Sequence, residues 1–205
     1  MIDFYFDFIS PYGYFAAMKI DGLAKKFDRK VEWHPMLLGV SVMNVMGLKP
    51  LMETPLKKDY LIQDIPRLAA LYNIPFSYPK HGMPKPLPPA RAFCWVKEML
   101  PERAGEFAKA VYRAQWQDGL DISQPQVLAK LVEEVGLNGE ALKEALETET
   151  LRRSLSEKVD ASINRGVFGS PTYMVDGNMI WGGDRMWMLE HWLSKGKWDS
   201  NHQKY

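Results

Sequence analysis

The sequence of 205 residues contains a single cysteine, Cys94. An intramolecular disulfide, a Cys-x-x-Cys pair and a metal site built from several cysteines are therefore excluded. The histidines His34, His81, His191 and His202 lie far apart and show no ligand spacing such as i, i+4. The sequence accordingly predicts no metal site.

The sequence also lacks an excess of charge of either sign, with 26 lysines and arginines against 25 aspartates and glutamates. This balance indicates neither a nucleic-acid surface nor a strongly acidic partner. There is no long uncharged apolar run, no secretory leader pattern and no transit segment rich in arginine and serine. We therefore expect a soluble, cytoplasmic protein without a membrane partner.

The beginning of the chain is rich in aromatic side chains that alternate with acidic ones, which predicts a strand over residues 2–9. Ser10 is a good N-cap residue, and Pro11 suits a first helical position because its φ is preset. From Tyr12 onward the apolar spacing becomes helical. Ser10 is therefore expected where a strand ends and a helix begins, with its hydroxyl near free helical N–H groups.

Two interpretations of Ser10 are open at this point. In the first, Ser10 only caps the helix, which is the commonest role of such a serine. In the second, Ser10 belongs to an anion site, because a helix N-terminus carries partial positive charge and unpaired donors that stabilise anions such as thiolates. The stretch around Ser10 does not by itself choose between them.

The middle of the chain is predicted to be largely helical. A second strand over residues 31–38 follows the first helix, and a helical crossover makes the two strands parallel. Residues 39–55 have the glycines and prolines of a loop. Helical spacing then dominates residues 56–72 and 90–164, with Ser123 and Asn138 as predicted N-caps. Residues 73–89 contain six prolines and are predicted to form an ordered loop or a lid.

The end of the chain returns to strands. A glycine-punctuated segment leads into a short strand that ends near Val175, and Asp176 with Gly177 gives a strong hairpin signal before the returning strand. A final helix is predicted over residues 185–193, with Asp184 as a plausible N-cap.

The predicted order is β-α-β, a helical block and β-β-α, which defines an α/β fold with a four-stranded sheet and a large all-helical insertion. We predict a discontinuous domain formed by residues 1–38 and 165–198. Residues 39–164 form the predicted insertion domain, and residues 199–205 a C-terminal tail.

This layout resembles the thioredoxin fold of DsbA type, in which a cis proline faces the active turn, and Pro171 stands at the matching place. Three motifs are similar to those of the family of kappa-class glutathione transferases and 2-hydroxychromene-2-carboxylate isomerases. They are DFISPY at residues 7–12, GVFGSPT at 166–172 and WGGDRM at 181–186. The resemblance extends from residue 2 to about 198, and the Ser-Pro-Tyr turn favours the isomerase branch.

The resemblance implies a glutathione site and assigns roles within it. Ser10 matches the family's catalytic serine, which hydrogen-bonds the glutathione sulfur. Ser170 matches the residue before the cis proline, whose backbone pairs with the cysteinyl part. Gly183 and Asp184 match the pair that holds the γ-glutamyl end, and Lys57 matches a lysine near the glycine end.

One position departs from the family pattern. Leu48 stands where many relatives have an asparagine that contacts ligand, and leucine cannot make that hydrogen bond. Simpler interpretations also stay open for three of the implied residues: Asp184 as a helix cap only, Lys57 as a solvated surface residue, and Pro171 as an ordinary trans proline in a turn.

The activity that the resemblance implies is glutathione-dependent isomerisation of an aromatic enone acid or its closed hemiketal form, through reversible addition of the thiolate. The substrates would be 2-hydroxychromene-2-carboxylate and trans-o-hydroxybenzylidenepyruvate-type acids of aromatic catabolism. One alternative is a kappa-class transferase or peroxidase that acts on electrophiles. Another is a non-catalytic binding module on the thioredoxin fold. The absence of a cysteine near residue 10 argues against a disulfide oxidoreductase.

The family resemblance, together with the apolar residues of segment 39–55, predicts a homodimer. Sedimentation at micromolar concentration should therefore give a species of twice 23.6 kDa. A single species of 23.6 kDa under those conditions would contradict this prediction.

Overall fold

A computed structural model describes residues 1–198 of the chain. The strands are β1 (Ile2–Phe6), β2 (Val31–Pro35), β3 (Thr172–Val175) and β4 (Asn178–Trp181). The α-helices are α1 (Pro11–Lys26), α2 (Lys57–Tyr72), α3 (Leu87–Met99), α4 (Ala104–Trp116), α5 (Pro125–Glu134), α6 (Gly139–Leu146), α7 (Glu149–Asn164) and α8 (Met186–Lys195). Shorter helical turns cover Gly39–Val45, Leu51–Glu53, Pro101–Arg103 and Gly183–Arg185.

The four strands form one sheet in the order β2-β1-β3-β4. β1 pairs in parallel with β2 and antiparallel with β3, which in turn pairs antiparallel with β4. The two ends of the chain therefore build a common sheet, as predicted. Asp176 and Gly177 both have positive φ, 47° and 82°, and this geometry closes the β3–β4 hairpin with the twist that the strands require.

The core begins on the face of the sheet that carries alternate residues of β1. Phe4 stacks against Tyr173 at 5.6 Å between ring centroids and meets Trp33 edge-on at 4.8 Å. Phe6 continues this row and meets Phe93 of α3 edge-on at 5.0 Å. The same buried cluster includes residues of the sheet and of the helical block, so the insertion packs directly on the end of β1.

Two predicted segments differ from the structure. Residues 39–55 are not a plain loop, because Gly39–Val45 and Leu51–Glu53 satisfy their backbone groups in short helical turns. The second strand ends at Pro35 and not at residue 38, since the Leu38 N–H donates to the Asp7 carboxylate at 2.7 Å instead of continuing the sheet. The first strand likewise ends at Phe6.

The predicted helix caps have mixed outcomes. Asn138 is confirmed, because its side-chain oxygen accepts the Ala141 N–H at 3.0 Å. Ser123 is wrong as a cap: Gln124 holds the N-cap position, and the Ser123 hydroxyl donates to the Asp121 carboxylate at 2.5 Å.

Asp184 is also wrong as a cap of the last helix. Asp184 lies within the short turn Gly183–Arg185, and α8 begins only at Met186 with no side-chain capping bond. The proposed division of the chain into domains at residues 38 and 165 stays a prediction. The tail 199–205 lies outside the described residues, and among residues 1–198 no helix has the length and apolar character needed to cross a membrane.

Candidate functional site

The site is organised around Ser10, which ends the turn between β1 and α1. Ser10 has extended backbone angles, φ −91° and ψ 112°, and its hydroxyl oxygen accepts the Gly13 N–H at 3.0 Å. Its carbonyl oxygen accepts the Tyr14 N–H at 3.0 Å. The predicted N-cap is therefore confirmed, and it places the hydroxyl at the positive end of α1.

The proton of the Ser10 hydroxyl is directed at a distant segment of the chain. The hydroxyl donates to the carbonyl oxygen of Ser170 at 3.0 Å, and the Ser170–Pro171 peptide bond is cis. The predicted cis proline is thus confirmed, and the alternative of a trans proline is excluded. Because Ser10 is only 4% exposed, its single proton is held in this bond unless another acceptor replaces the carbonyl.

Asp7 is a part of the site that the sequence analysis missed. Its carboxylate is buried and accepts the N–H groups of Ile9 at 3.2 Å and Leu38 at 2.7 Å. Its own N–H donates to the Ser170 hydroxyl at 3.0 Å. Burial raises the pKa of Asp7 from 3.8 to about 6, against the opposing effect of the two backbone hydrogen bonds. The signal available in the sequence was an acidic residue within an otherwise buried aromatic run.

Helix α4 of the insertion holds the same turn from the other side. The Tyr112 hydroxyl donates to the Asp7 carbonyl at 2.9 Å, and the Trp116 indole N–H donates to the Phe8 carbonyl at 2.9 Å. Tyr112 and Trp116 are one helical turn apart, 0% and 2% exposed. The Trp116 bond gives the Phe8 carbonyl a partner, and the Tyr112 bond adds a second one to the Asp7 carbonyl, which also accepts the Ser10 N–H at 3.0 Å.

Gly13 lies where α1 approaches these groups most closely. A Cβ at this position would lie 2.6 Å from the Tyr112 hydroxyl, 2.8 Å from the Ser170 hydroxyl and 3.2 Å from the Ser10 Cβ. The first turn of α1 therefore requires a residue without a side chain, a requirement that the sequence pattern around Gly13 did not indicate.

The predicted pair Gly183 and Asp184 lies beside the Ser10 turn. A Cβ at Gly183 would lie 3.2 Å from the Tyr12 Cβ, so the two backbones are in near contact. The Tyr12 hydroxyl donates to Asp64 at 2.7 Å, and the Tyr60 hydroxyl donates to the same carboxylate at 3.1 Å. Burial, followed by the bond to Asp64, raises the pKa of Tyr12, and the Asp184 charge adds to this shift.

Three further residues named from the sequence are on the surface. The side chain of Asp184 is 70% exposed and lies 3.4 Å from the Arg185 guanidinium. Lys57 is the exposed first residue of α2, the helix that carries Asp64. Leu48 is 57% exposed. Within residues 1–198, the hydrogen bonds around Ser10 include neither Lys57 nor Leu48.

The single cysteine supplies no nucleophile to this site. Cys94 is buried on α3, and burial raises the pKa of its thiol to about 11. The thiol therefore stays protonated near neutral pH, and protonated thiols are poor nucleophiles.

The fold and the site define a thioredoxin-fold protein that has a serine hydroxyl opposite the cis proline. Residues 1–194 match the sequence model of the DsbA-like thioredoxin domain. The 2-hydroxychromene-2-carboxylate isomerase of Sphingobium xenophagum is 30% identical over 193 residues, which are 94% of this chain and 97% of the relative. The chain therefore belongs to the DsbA-like thioredoxin family, in the group that includes these isomerases.

Two more comparisons agree with this assignment. Glutathione S-transferase kappa 1 of Rattus norvegicus is 27% identical over 210 residues, covering 97% of this chain and 92% of the relative. A solved structure of 2-hydroxychromene-2-carboxylate isomerase superposes with a TM-score of 0.84 at 27% identity. That superposition covers 95% of this chain and 94% of the other.

The packing of Gly13 leads to a prediction with an internal control. Gly13→Ala should lower the free energy of unfolding by about 1–3 kcal/mol, because the buried hydroxyls of Tyr112 and Ser170 must move apart. Gly22 lies in the same helix, and a Cβ there would meet nothing within 4 Å. Gly22→Ala should therefore stabilise the protein by about 1 kcal/mol. Equal effects of the two substitutions in urea unfolding would contradict this account.

Asp7 predicts a pH dependence of stability. Because the folded-state pKa of about 6 exceeds the ordinary value of 3.8, the folded protein binds the proton more tightly than the unfolded chain. The resulting stabilisation of the folded protein is complete below pH 3.8 and is lost as the pH rises through about 6. Relative to that of Asp7→Asn, the free energy of unfolding of the wild type should fall by on the order of 3 kcal/mol between these two pH values. Unfolding curves measured at several pH values test this, and a constant difference between the two proteins would refute it.

Proposed function

We propose that this protein is a glutathione-dependent isomerase that interconverts 2-hydroxychromene-2-carboxylate and trans-o-hydroxybenzylidenepyruvate-type acids. The observation that carries the proposal is the Ser10 hydroxyl, held at a helix N-terminus 3.0 Å from the carbonyl of the residue before the cis proline. The identity of the relatives supports the choice of reaction. When bound, glutathione would supply a thiolate that adds reversibly to the conjugated double bond, which then rotates as a single bond before elimination.

The residues present fit glutathione by their chemistry. The molecule has a thiol, one ammonium group and two carboxylates. Ser10 and the N-terminus of α1 suit the thiolate, and the backbone of Ser170 suits the cysteinyl peptide. Asp184 offers an exposed carboxylate to the ammonium group, and Lys57 offers an ammonium group to the glycine carboxylate.

The task assigned to Ser10 is to donate a hydrogen bond to the thiolate while keeping its proton. A free thiol has a pKa of about 8.5, so only a few per cent is ionised at pH 7. A hydrogen bond to a charged acceptor contributes about 1.5–3 kcal/mol, but the neutral bond to Ser170 that it replaces is worth about 0.5–1.5 kcal/mol. With the middle of each range, the net gain is about 1–1.5 kcal/mol, to which the helix terminus adds about 0.3–1 kcal/mol.

These contributions lower the thiol pKa by about one to two units, since one unit corresponds to about 1.36 kcal/mol. A large fraction of bound glutathione would then be thiolate at neutral pH. The remaining acceleration is assigned to positioning, because a thiolate held against the double bond reacts as though in the same molecule.

A second candidate is a kappa-type transferase or peroxidase, which the similarity to the rat transferase favours. Both activities require the same thiolate, so Ser10 does not separate them. Turnover of a chromene acid without net loss of glutathione supports the isomerase. Accumulation of a conjugate with an aryl halide, without turnover of the chromene acid, supports the transferase. A non-catalytic module predicts no glutathione binding in calorimetric titration.

Replacement of Ser10 separates a helix cap from a thiolate donor. Ser10→Ala should lower stability by about 1 kcal/mol in either case. If Ser10 donates to the thiolate, the substitution should also raise the pKa of bound glutathione and reduce the rate at pH 7 roughly five- to tenfold. The loss should shrink above the free thiol pKa, where the thiolate forms without help. Thiolate absorbance and the pH–rate profile measure both effects.

Asn138→Ala provides the matched control, because Asn138 caps α6 through one side-chain bond at 3.0 Å. It should lower stability by a similar amount, about 1 kcal/mol, and leave the rate per folded molecule unchanged. If Ser10→Ala behaves like Asn138→Ala, with the wild-type thiol pKa and rate, then Ser10 is a cap and the proposed mechanism is wrong.

A further inference from the structure

A buried hydroxyl group on the insertion, that of Tyr112, lies close to the residues that hold the Ser10 side chain. The Ser10 hydroxyl accepts from the Gly13 N–H and donates to the Ser170 carbonyl, each at 3.0 Å. A Cβ at Gly13 would lie 2.6 Å from the Tyr112 hydroxyl. The same Cβ would lie 2.8 Å from the Ser170 hydroxyl. The Tyr112 and Ser170 hydroxyls therefore both pack against Gly13, whose N–H donates to Ser10.

The backbone of Ser10 depends on the same group. The Asp7 carbonyl oxygen accepts the Ser10 N–H at 3.0 Å and the Tyr112 hydroxyl at 2.9 Å. Tyr112 is 0% exposed, so no bulk water can take the place of its hydroxyl. The ring is held by Phe8 and Phe6, with centroids at 5.1 and 6.0 Å. This packing holds the hydroxyl where the turn, the first turn of α1 and the cis-proline segment meet.

We propose that Tyr112 is a positioning residue for Ser10, which means that the helical insertion sets the geometry of the thiolate-binding hydroxyl. Tyr112 acts through the Asp7 carbonyl and through its packing against Gly13, and does not itself contact the ligand. The kinetic part of this proposal rests on the proposed function, whereas the geometric part does not. Loss of the Tyr112 hydroxyl leaves the Asp7 carbonyl with one partner and opens space beside Gly13, so the donors around residue 10 lose their alignment.

Tyr14 is a matched control within the same region. It is 1% exposed, its hydroxyl donates to the Pro75 carbonyl at 2.7 Å, and its ring lies 6.1 Å from that of Tyr112. Tyr14→Phe therefore removes one buried tyrosine hydroxyl and one bond to a carbonyl, as Tyr112→Phe does. The bond lost from Tyr14 leads to the segment after α2 and not to the partners of Ser10.

The first experiment uses Ser10→Cys, whose new thiol reports on the site without glutathione. The ultraviolet absorbance of this thiolate is followed against pH in three proteins. They are the single variant Ser10→Cys and the two double variants that add Tyr112→Phe or Tyr14→Phe. Tyr112→Phe should raise the thiol pKa by about half a unit or more, because fewer aligned donors stabilise the thiolate. Tyr14→Phe should leave the titration unchanged. Equal titrations for the two double variants would overturn the proposal and make Tyr112 a structural residue only.

The second experiment measures turnover of the chromene acid in the presence of glutathione, with Ser10 intact. Tyr112→Phe should reduce kcat at pH 7 roughly threefold to tenfold, with little change in KM and recovery at alkaline pH. Tyr14→Phe should stay within about twofold of the wild type. Parallel losses in both variants at every pH would overturn the proposal. If wild-type protein neither binds glutathione nor turns over the acid, the proposed function fails while the thiol titration still decides the role of Tyr112.

Trp116→Phe keeps the test valid if Tyr112→Phe does not fold. Trp116 lies one turn further along α4 and donates to the Phe8 carbonyl at 2.9 Å. In the Ser10→Cys background, Trp116→Phe should raise the thiol pKa by a smaller amount than Tyr112→Phe would. A titration identical to that of Tyr14→Phe would contradict positioning by α4.

Discussion

The structure depends on how the buried turn between β1 and α1 satisfies its polar groups. Buried backbone groups that lack partners are costly, and this turn leaves the sheet before it enters the helix. Its partners come from elsewhere in the chain: Ser170 accepts the Asp7 N–H, Tyr112 donates to the Asp7 carbonyl and Trp116 donates to the Phe8 carbonyl. The turn is thus fixed only when the sheet, the cis-proline segment and the insertion are assembled.

Ser10 reconciles the two interpretations that its sequence context left open. A hydroxyl has one proton to donate and separate lone pairs with which to accept. The cap uses a lone pair, through the Gly13 N–H, and the proton is directed at Ser170. A helix cap and a donor to an anion are therefore compatible roles, and the capping bond can persist when the proton changes its acceptor. The exchange breaks the neutral hydrogen bond to Ser170, so the net stabilisation that Ser10 can give an anion is smaller than that of the new bond alone.

The helical insertion is continuous with the core on which the site stands. Phe6 and Phe8 of the first segment pack against Phe93 and Tyr112 of the insertion. The group that would bind the thiolate therefore depends on residues from both parts of the chain. The two proposed functions, isomerase and transferase, would share this thiolate, and they would differ in how the second substrate is held and in whether elimination restores the thiol.

The sequence by itself determined the local structure, because neighbouring residues decide it. Alternation predicted β1, Ser10 before Pro11 predicted the start of α1, and the Asp-Gly pair predicted the hairpin. Three spaced motifs also predicted the family and the cis peptide at Pro171. Only the tertiary structure decided the hydrogen-bond partners of Asp7 and Tyr112, since these lie up to 163 and 105 residues away. Periodicity reports which face of an element is buried, but a buried hydrogen bond depends on which distant atoms the packing brings within reach.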